Sequence, residues 1–149
     1  MITIETSDLH STDSLNLIER LSLELKTLTG DSGKSHFNVS SMDESGCLWI
    51  LARDENRRAI GCGAIRPLTV NIAELKRMFS DRSIPGIGSA LLAYLETWAK
   101  EMGYRQIWLE TRHINLRAVN FYIKNGYIPI DNYGPYIGRD DAACFAKCL

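Results

Sequence analysis

The stretch "SDRSIPGIGSALLAYLE", Ser80 to Glu96, decides how this chain is read. Gly86 and Gly88 stand at the entrance of an apolar run. Leu91, Leu92, Leu95, Trp98, Ala99 and Met102 recur at helical spacing, and Gly103 stops the run. The first amides of a helix have no partner in their own helix, and the helix dipole is positive at that end. A phosphate would be held well there. Glycines at that place also simply turn a chain, so the flanking segments have to decide between the two.

Working outward, "MITIE" alternates and predicts a strand. Residues 11–28 carry Leu15, Ile18, Leu21, Leu25 and Leu28 at helical spacing, with N-cap candidates from Ser11 to Ser14. "CLWILARDENRRAIGCGAIRPL" predicts two strands joined at "DENR", and "AELKRMF" a third. Strict alternation in the third would put Leu75, Arg77 and Phe79 on one face and Glu74, Lys76 and Met78 on the other. After the opening helix come a strand, "RQIWLET", and a short helix, "NLRAVNFYIKNGY", capped by Asn115 and stopped by Gly126. "YIPI" and "AACFAKCL" close the series as strands. The order β-α-β-β-β-α-β-α-β-β, with its central meander, predicts a mixed sheet in an α/β fold.

A dinucleotide fingerprint fits poorly. Leu91 stands where a third small residue belongs, "AELKRMF" is too charged for a first strand buried on both faces, and three strands already precede it. The 149 residues predict one domain spanning 1–149. Hydrophobic residues make up 45% and charged ones 23%, as in soluble globular chains. A formal net charge of -1 argues against bulk nucleic-acid binding. The chain shows no membrane span and no signal peptide, which predicts the cytoplasm. Cys47, Cys62, Cys144 and Cys148 form no Cys-x-x-Cys pair and are expected to be buried free thiols. His10, His36 and His113 are scattered, so no metal site is expected.

Taken in order, "AELKRMF", "PGIGSALLAYLETWAKEMGY", "LET" and "NLRAVNFYIKNGY" resemble the GCN5-related N-acetyltransferase (GNAT) family. The likeness is strongest from Phe37 to Tyr136. It implies a twisted, mostly antiparallel mixed sheet of six to seven strands flanked by about four helices. It also implies acetyl-CoA as cosubstrate, with the pyrophosphate on the loop at the helix N-terminus. Ser83, Gly86, Ile87, Gly88, Ser89 and Ala90 then become cofactor contacts. The loop departs from the family pattern in three places. Ser83 replaces Gln or Arg, Ile84 stands where many relatives have glycine, and Pro85 carries no N–H. Arg82 is near enough in sequence to supply the missing positive charge.

The implied reaction moves acetyl from acetyl-CoA to a primary amine of a small molecule, such as an amino acid. A protein N-terminus fits less well. Direct attack would pass through a tetrahedral intermediate, which needs a neutral amine, an oxyanion donor and a proton for the departing thiolate. Tyr122 falls at the family's general-acid position in the pattern Asn115, Ala118, Tyr122, although packing is its competing role. Glu74 is the candidate base and Glu110 its rival, the latter also counted among the substrate contacts. The oxyanion donor would be a backbone N–H near Met78. The donor's pantetheine arm would bond the backbone of Met78 and Phe79, between strands that splay apart in relatives. Asn115 and Asn120 are candidate CoA contacts, and Asn115 serves equally well as a helix cap. Arg66 and Arg77 could bind an acceptor carboxylate, and Tyr133 and Tyr136 in "NYGPYIG" could wall the acceptor pocket. Family members often form homodimers. The competing class is a non-catalytic acyl-CoA-binding or regulatory module on the same fold.

Overall fold

The computed structural model describes residues 1–34 and 46–149; His36 and Phe37 lie outside them. The strands are β1 (Thr3–Thr6), β2 (Leu48–Arg53), β3 (Ala59–Pro67), β4 (Ile72–Ser80), β5 (Gln106–Arg112), β6 (Ile128–Ile130) and β7 (Ala142–Cys148). They form one sheet in the order β1-β2-β3-β4-β5-β7-β6. Three α-helices lie among the described residues, where about four were expected: α1 (Thr12–Thr29), α2 (Ile87–Glu101) and α3 (Leu116–Lys124). Every neighbouring pair of strands is antiparallel except β4 and β5. That exception follows from α2, because a helical crossover returns the chain in the same direction.

Each face of the sheet has its own core. On one, Ile50, Leu75, Ile107, Leu109 and Phe145 pack with Leu91, Leu92, Leu95 and Ala99 of α2 and Tyr122 of α3. On the other, Trp49, Leu51, Cys62, Ala64 and Phe79 pack with Leu17, Ile18 and Leu21 of α1. Each such leucine contributes about 2 kcal/mol by leaving water. Ser11 caps α1 through the N–H of Ser14, and Gly30 ends it in the left-handed conformation at φ 81°. The docking differs from the leucine spacing in one respect. Leu17 is buried, whereas Leu15 and Leu28 are 46% and 43% exposed. The buried stripe therefore runs Leu17, Ile18, Leu21, a rotation the sequence period alone leaves open. Cys148 is exposed and Cys47 half-buried, so only Cys62 and Cys144 match the expected buried thiols.

The alternation in β4 also fails at one residue. Cys62 faces Phe79 and Ala64 faces Lys76, so Gly63 alone opposes Arg77 and Met78. This is a β-bulge, with Arg77 in the left-handed region at φ 54°. It turns Met78 to the α2 side, away from Glu74 and Lys76, while Leu75 separates from Arg77 and Phe79. Gly63 makes room for it: a Cβ there would lie 2.6 Å from Met78 Sδ. The Arg77 guanidinium then reaches α1. It donates to the Ile18 carbonyl at 3.2 Å and to the Ser22 hydroxyl, and on the far side to the Ser32 carbonyl at 3.2 Å.

Candidate active site

The β4–β5 ladder begins normally and then stops. Ile72 pairs with Gln106, Ala73 with Ile107 and Glu74 with Trp108, and no pair follows. Beyond Glu74 the two strands part. The opening is a cleft of about 700 Å³, bordered by the second half of β4, the end of β5, the start of α2, α3 and the last turns of α1.

The N-terminus of α2 opens on this cleft. Gly86 is its N-cap at φ 87°, a conformation that excludes most side chains, and no side chain caps the helix. The amides of Ile87, Gly88 and Ser89 therefore have no intrahelical acceptor. Gly88 has a packing reason as well, since a Cβ there would sit 3.2 Å from the Phe121 ring of α3. The hydroxyl of Ser83 is committed to Asp81 Oδ1 at 2.6 Å, and its N–H to the same oxygen at 2.9 Å. Arg82 lines the cleft at φ 60° and holds Glu24 of α1 at 2.7 Å. Ala90, the fourth residue of α2, does not border the cleft.

Across from that helix end, α3 supplies Ala118, Phe121 and Tyr122 to the cleft wall. Asn115 borders it too, while capping α3 through the Ala118 N–H at 3.3 Å. Asn120 faces solvent and does not border the cleft. Tyr122 is 7% exposed, and burial raises its phenol above the ordinary tyrosine range. Such a hydroxyl keeps its proton and can donate it.

The far end of the cleft is built from charged side chains on the α1 side of the sheet. Lys76, Glu110, Arg112, Asp31 and Tyr136 border it. Burial lowers the Lys76 ammonium, which donates to the Tyr136 hydroxyl at 2.8 Å. Burial raises the Glu110 carboxyl above the usual range, and the neighbouring Arg112 guanidinium pulls it back. Glu74, Arg66 and Tyr133 lie behind this wall. Glu74 accepts from the Tyr133 hydroxyl at 2.7 Å and sits 3.6 Å from Arg66 and 3.7 Å from Lys76. The sequence reading thus brings Tyr122, Glu110, Arg77 and Tyr136 to one cleft with Met78, Phe79 and the α2 start. It missed Lys76, Arg112 and Asp31. A lysine in a charged, half-buried strand was visible; Asp31 and Arg112 are 81 residues apart and give no local signal. Among the described residues no cluster could hold a metal ion, and no helix is long and apolar enough to cross a membrane.

The sheet opens between two parallel strands, and a bare helix end faces the opening. Residues 15–127 match the model of the acetyltransferase (GNAT) family, and the chain belongs to that family. It is 29% identical over 136 residues to an IAA acetyltransferase from Azospirillum brasilense, covering 89% of this chain and 88% of that one. A solved structure from Klebsiella pneumoniae subsp. pneumoniae, assigned as an acyl-CoA N-acyltransferase, superposes with a TM-score of 0.84 at 26% identity, covering 100% of this chain and 98% of that one. The paia N-acetyltransferase of Thermoplasma acidophilum, solved with coenzyme A, has a TM-score of 0.74 at 20% identity, over 100% and 99% of the two chains.

Proposed function

We propose that this single domain, residues 1–149, transfers acetyl from acetyl-CoA to the primary amine of a small molecule. One observation carries the reading: the uncapped amides of Ile87 to Ser89 open on the same cleft as the Tyr122 phenol and the Glu110 carboxyl. The coenzyme A bound by the similarly folded Thermoplasma protein supports it.

Acetyl-CoA supplies an acetyl group activated as a thioester. Its pyrophosphate suits the bare α2 end, where amides and dipole act together and Gly86 leaves the approach open. The unpaired edge of β4 at Met78 and Phe79 offers backbone groups to the pantetheine arm, and an N–H there serves the carbonyl oxygen as charge gathers on it. Glu110 borders the cleft and Glu74 does not, so Glu110 is the better placed base. A carboxyl raised by burial accepts the proton of an incoming amine readily. Tyr122 gives its hydroxyl proton to the departing sulfur and regains one from solvent. Glu74 and Tyr133 hold Lys76 and Tyr136 in place from behind.

A thermal-shift screen with acetyl-CoA, CoA, NAD and ATP, followed by thiol release over an amine panel, tests this. Stabilisation by the two CoA species and amine-dependent release are expected. Stabilisation without release over the whole panel would instead identify a non-catalytic acyl-CoA-binding module.

A further inference from the structure

Arg112 closes β5 with its side chain almost wholly buried, 8% exposed, at the acceptor end of the cleft. Each part of its guanidinium reaches a carboxylate from a different part of the chain. Nη1 donates to Glu110 on β5. Nη2 donates to Asp31, just past α1, at 3.0 Å. Nε lies 3.5 Å from Asp141, in the segment leading into β7. Asp31 in turn accepts the Gly33 N–H at 2.9 Å, and the Asp141 carbonyl accepts the His113 N–H at 3.0 Å. A planar fork of five donors can serve three acids at once; a lysine ammonium has neither the reach nor the geometry.

We infer that Arg112 is a positioning residue: it fixes the orientation of Glu110 and ties the cleft wall at Asp31, and the segment before β7 at Asp141, to the same strand. The inference rests on the acetyl-transfer reading above, in which Glu110 takes the amine proton. Glu110 is also faced by Lys76 from β4, by Cys144 opposite it on β7, and by Tyr136 and Arg139 from the connecting segment. Among these, Arg112 is the only cation hydrogen-bonded to it within the described residues.

The test is a pH titration of the Glu110 carboxyl by carbon NMR, in wild type, Arg112→Lys and Arg112→Gln, alongside kinetics. An adjacent cation favours the carboxylate, so its removal moves the Glu110 titration to higher pH. The shift is expected to be clear in Arg112→Gln and smaller in Arg112→Lys. The acid limb of kcat/KM should follow it, with kcat/KM at neutral pH falling about tenfold. The ties are tested by Asp31→Asn, where the acceptor KM should rise with the Glu110 titration unmoved. Stabilisation by acetyl-CoA should be the same in all variants. An unmoved titration in Arg112→Gln with an active wild type overturns this inference alone. A wild type that turns over no amine overturns the acetyl-transfer reading and this one with it. If Arg112→Gln does not fold, an acceptor KM unchanged in both Arg112→Lys and Asp31→Asn overturns it.

Discussion

The two ends of the cleft are built in different ways. At the α2 end the cleft is faced by backbone amides, Ile87 to Ser89, of a helix that no side chain caps. At the opposite end the lining is of side chains, Glu110, Arg112, Asp31 and Lys76, held by ion pairs and hydrogen bonds. Amide recognition tolerates sequence change, because any residue but proline carries the donor. Pro85 removes only its own donor, and Gly86 still supplies the turn at φ 87°. Side-chain recognition has no such tolerance, since each carboxylate there is held by a particular partner.

Mutations should separate the two ends. The largest effect is expected from Tyr122→Phe, which keeps the packing and removes the proton. Turnover should fall by about 10² or more while acetyl-CoA protection in a thermal shift stays near wild type. Equal losses in both would mean that Tyr122 serves the fold instead. Gly88→Val should do the opposite. Its side chain collides with the Phe121 ring and crowds the helix end, so KM for acetyl-CoA should rise about tenfold or more with a smaller change in kcat. A variant with unaltered KM would remove the α2 end from donor binding.

A smaller effect tests a charged side chain at the amide end, Arg82. Arg82 is engaged by Glu24. Releasing it with Glu24→Gln should tighten acetyl-CoA binding a few-fold, and Arg82→Ala should weaken it by a similar factor and flatten its salt dependence, as for an exposed charge worth about 1 kcal/mol or less. Calorimetry at two salt concentrations measures both, and no change in either variant would remove Arg82 from phosphate binding. The smallest effect concerns stability in acid. Bonds from Arg53 and Arg57 hold the Glu5 carboxyl below its ordinary value, and the Gly33 amide and Arg112 do the same for Asp31. A carboxyl lowered in the fold stabilises above its unfolded value, about pH 4, and that contribution is lost as pH falls through the folded value. Glu5→Gln should therefore lower Tm slightly at pH 7 and less at pH 3; an equal loss at both would contradict the assignment.

What the sequence disclosed follows the same division. The order of elements and both glycine-started and asparagine-capped helices were legible, because periodicity and caps are local. The family resemblance, rather than spacing, linked the "SIPGIG" turn to the Tyr122 helix, and both border the cleft. The bulge at Arg77 was not legible, since it needs Gly63 on the facing strand to admit Met78. The stripe on α1 was misplaced by the choice of Leu15 over Leu17, which is settled only when the helix docks on Trp49 and Leu51. Nor could spacing rank the two carboxylates. Glu74 and Glu110 both lie on strands beside the opening, but Glu110 borders the cleft while Glu74 lies behind it, bonded by the Tyr133 hydroxyl.

The early end of the β4–β5 ladder has one more consequence. Past Glu74 and Trp108, β4 is bonded to β3 on one flank and β5 to β7 on the other, so each turns a bare flank to the gap. The sheet therefore contains an edge in its interior. Exposed edges invite another chain to add as a strand. This one lies inside the cleft, between two strands of one sheet, where a slender, amide-bearing thread could bond both flanks. Such a guest would complete the weave, and the two halves of the sheet would be stitched together for as long as it stayed.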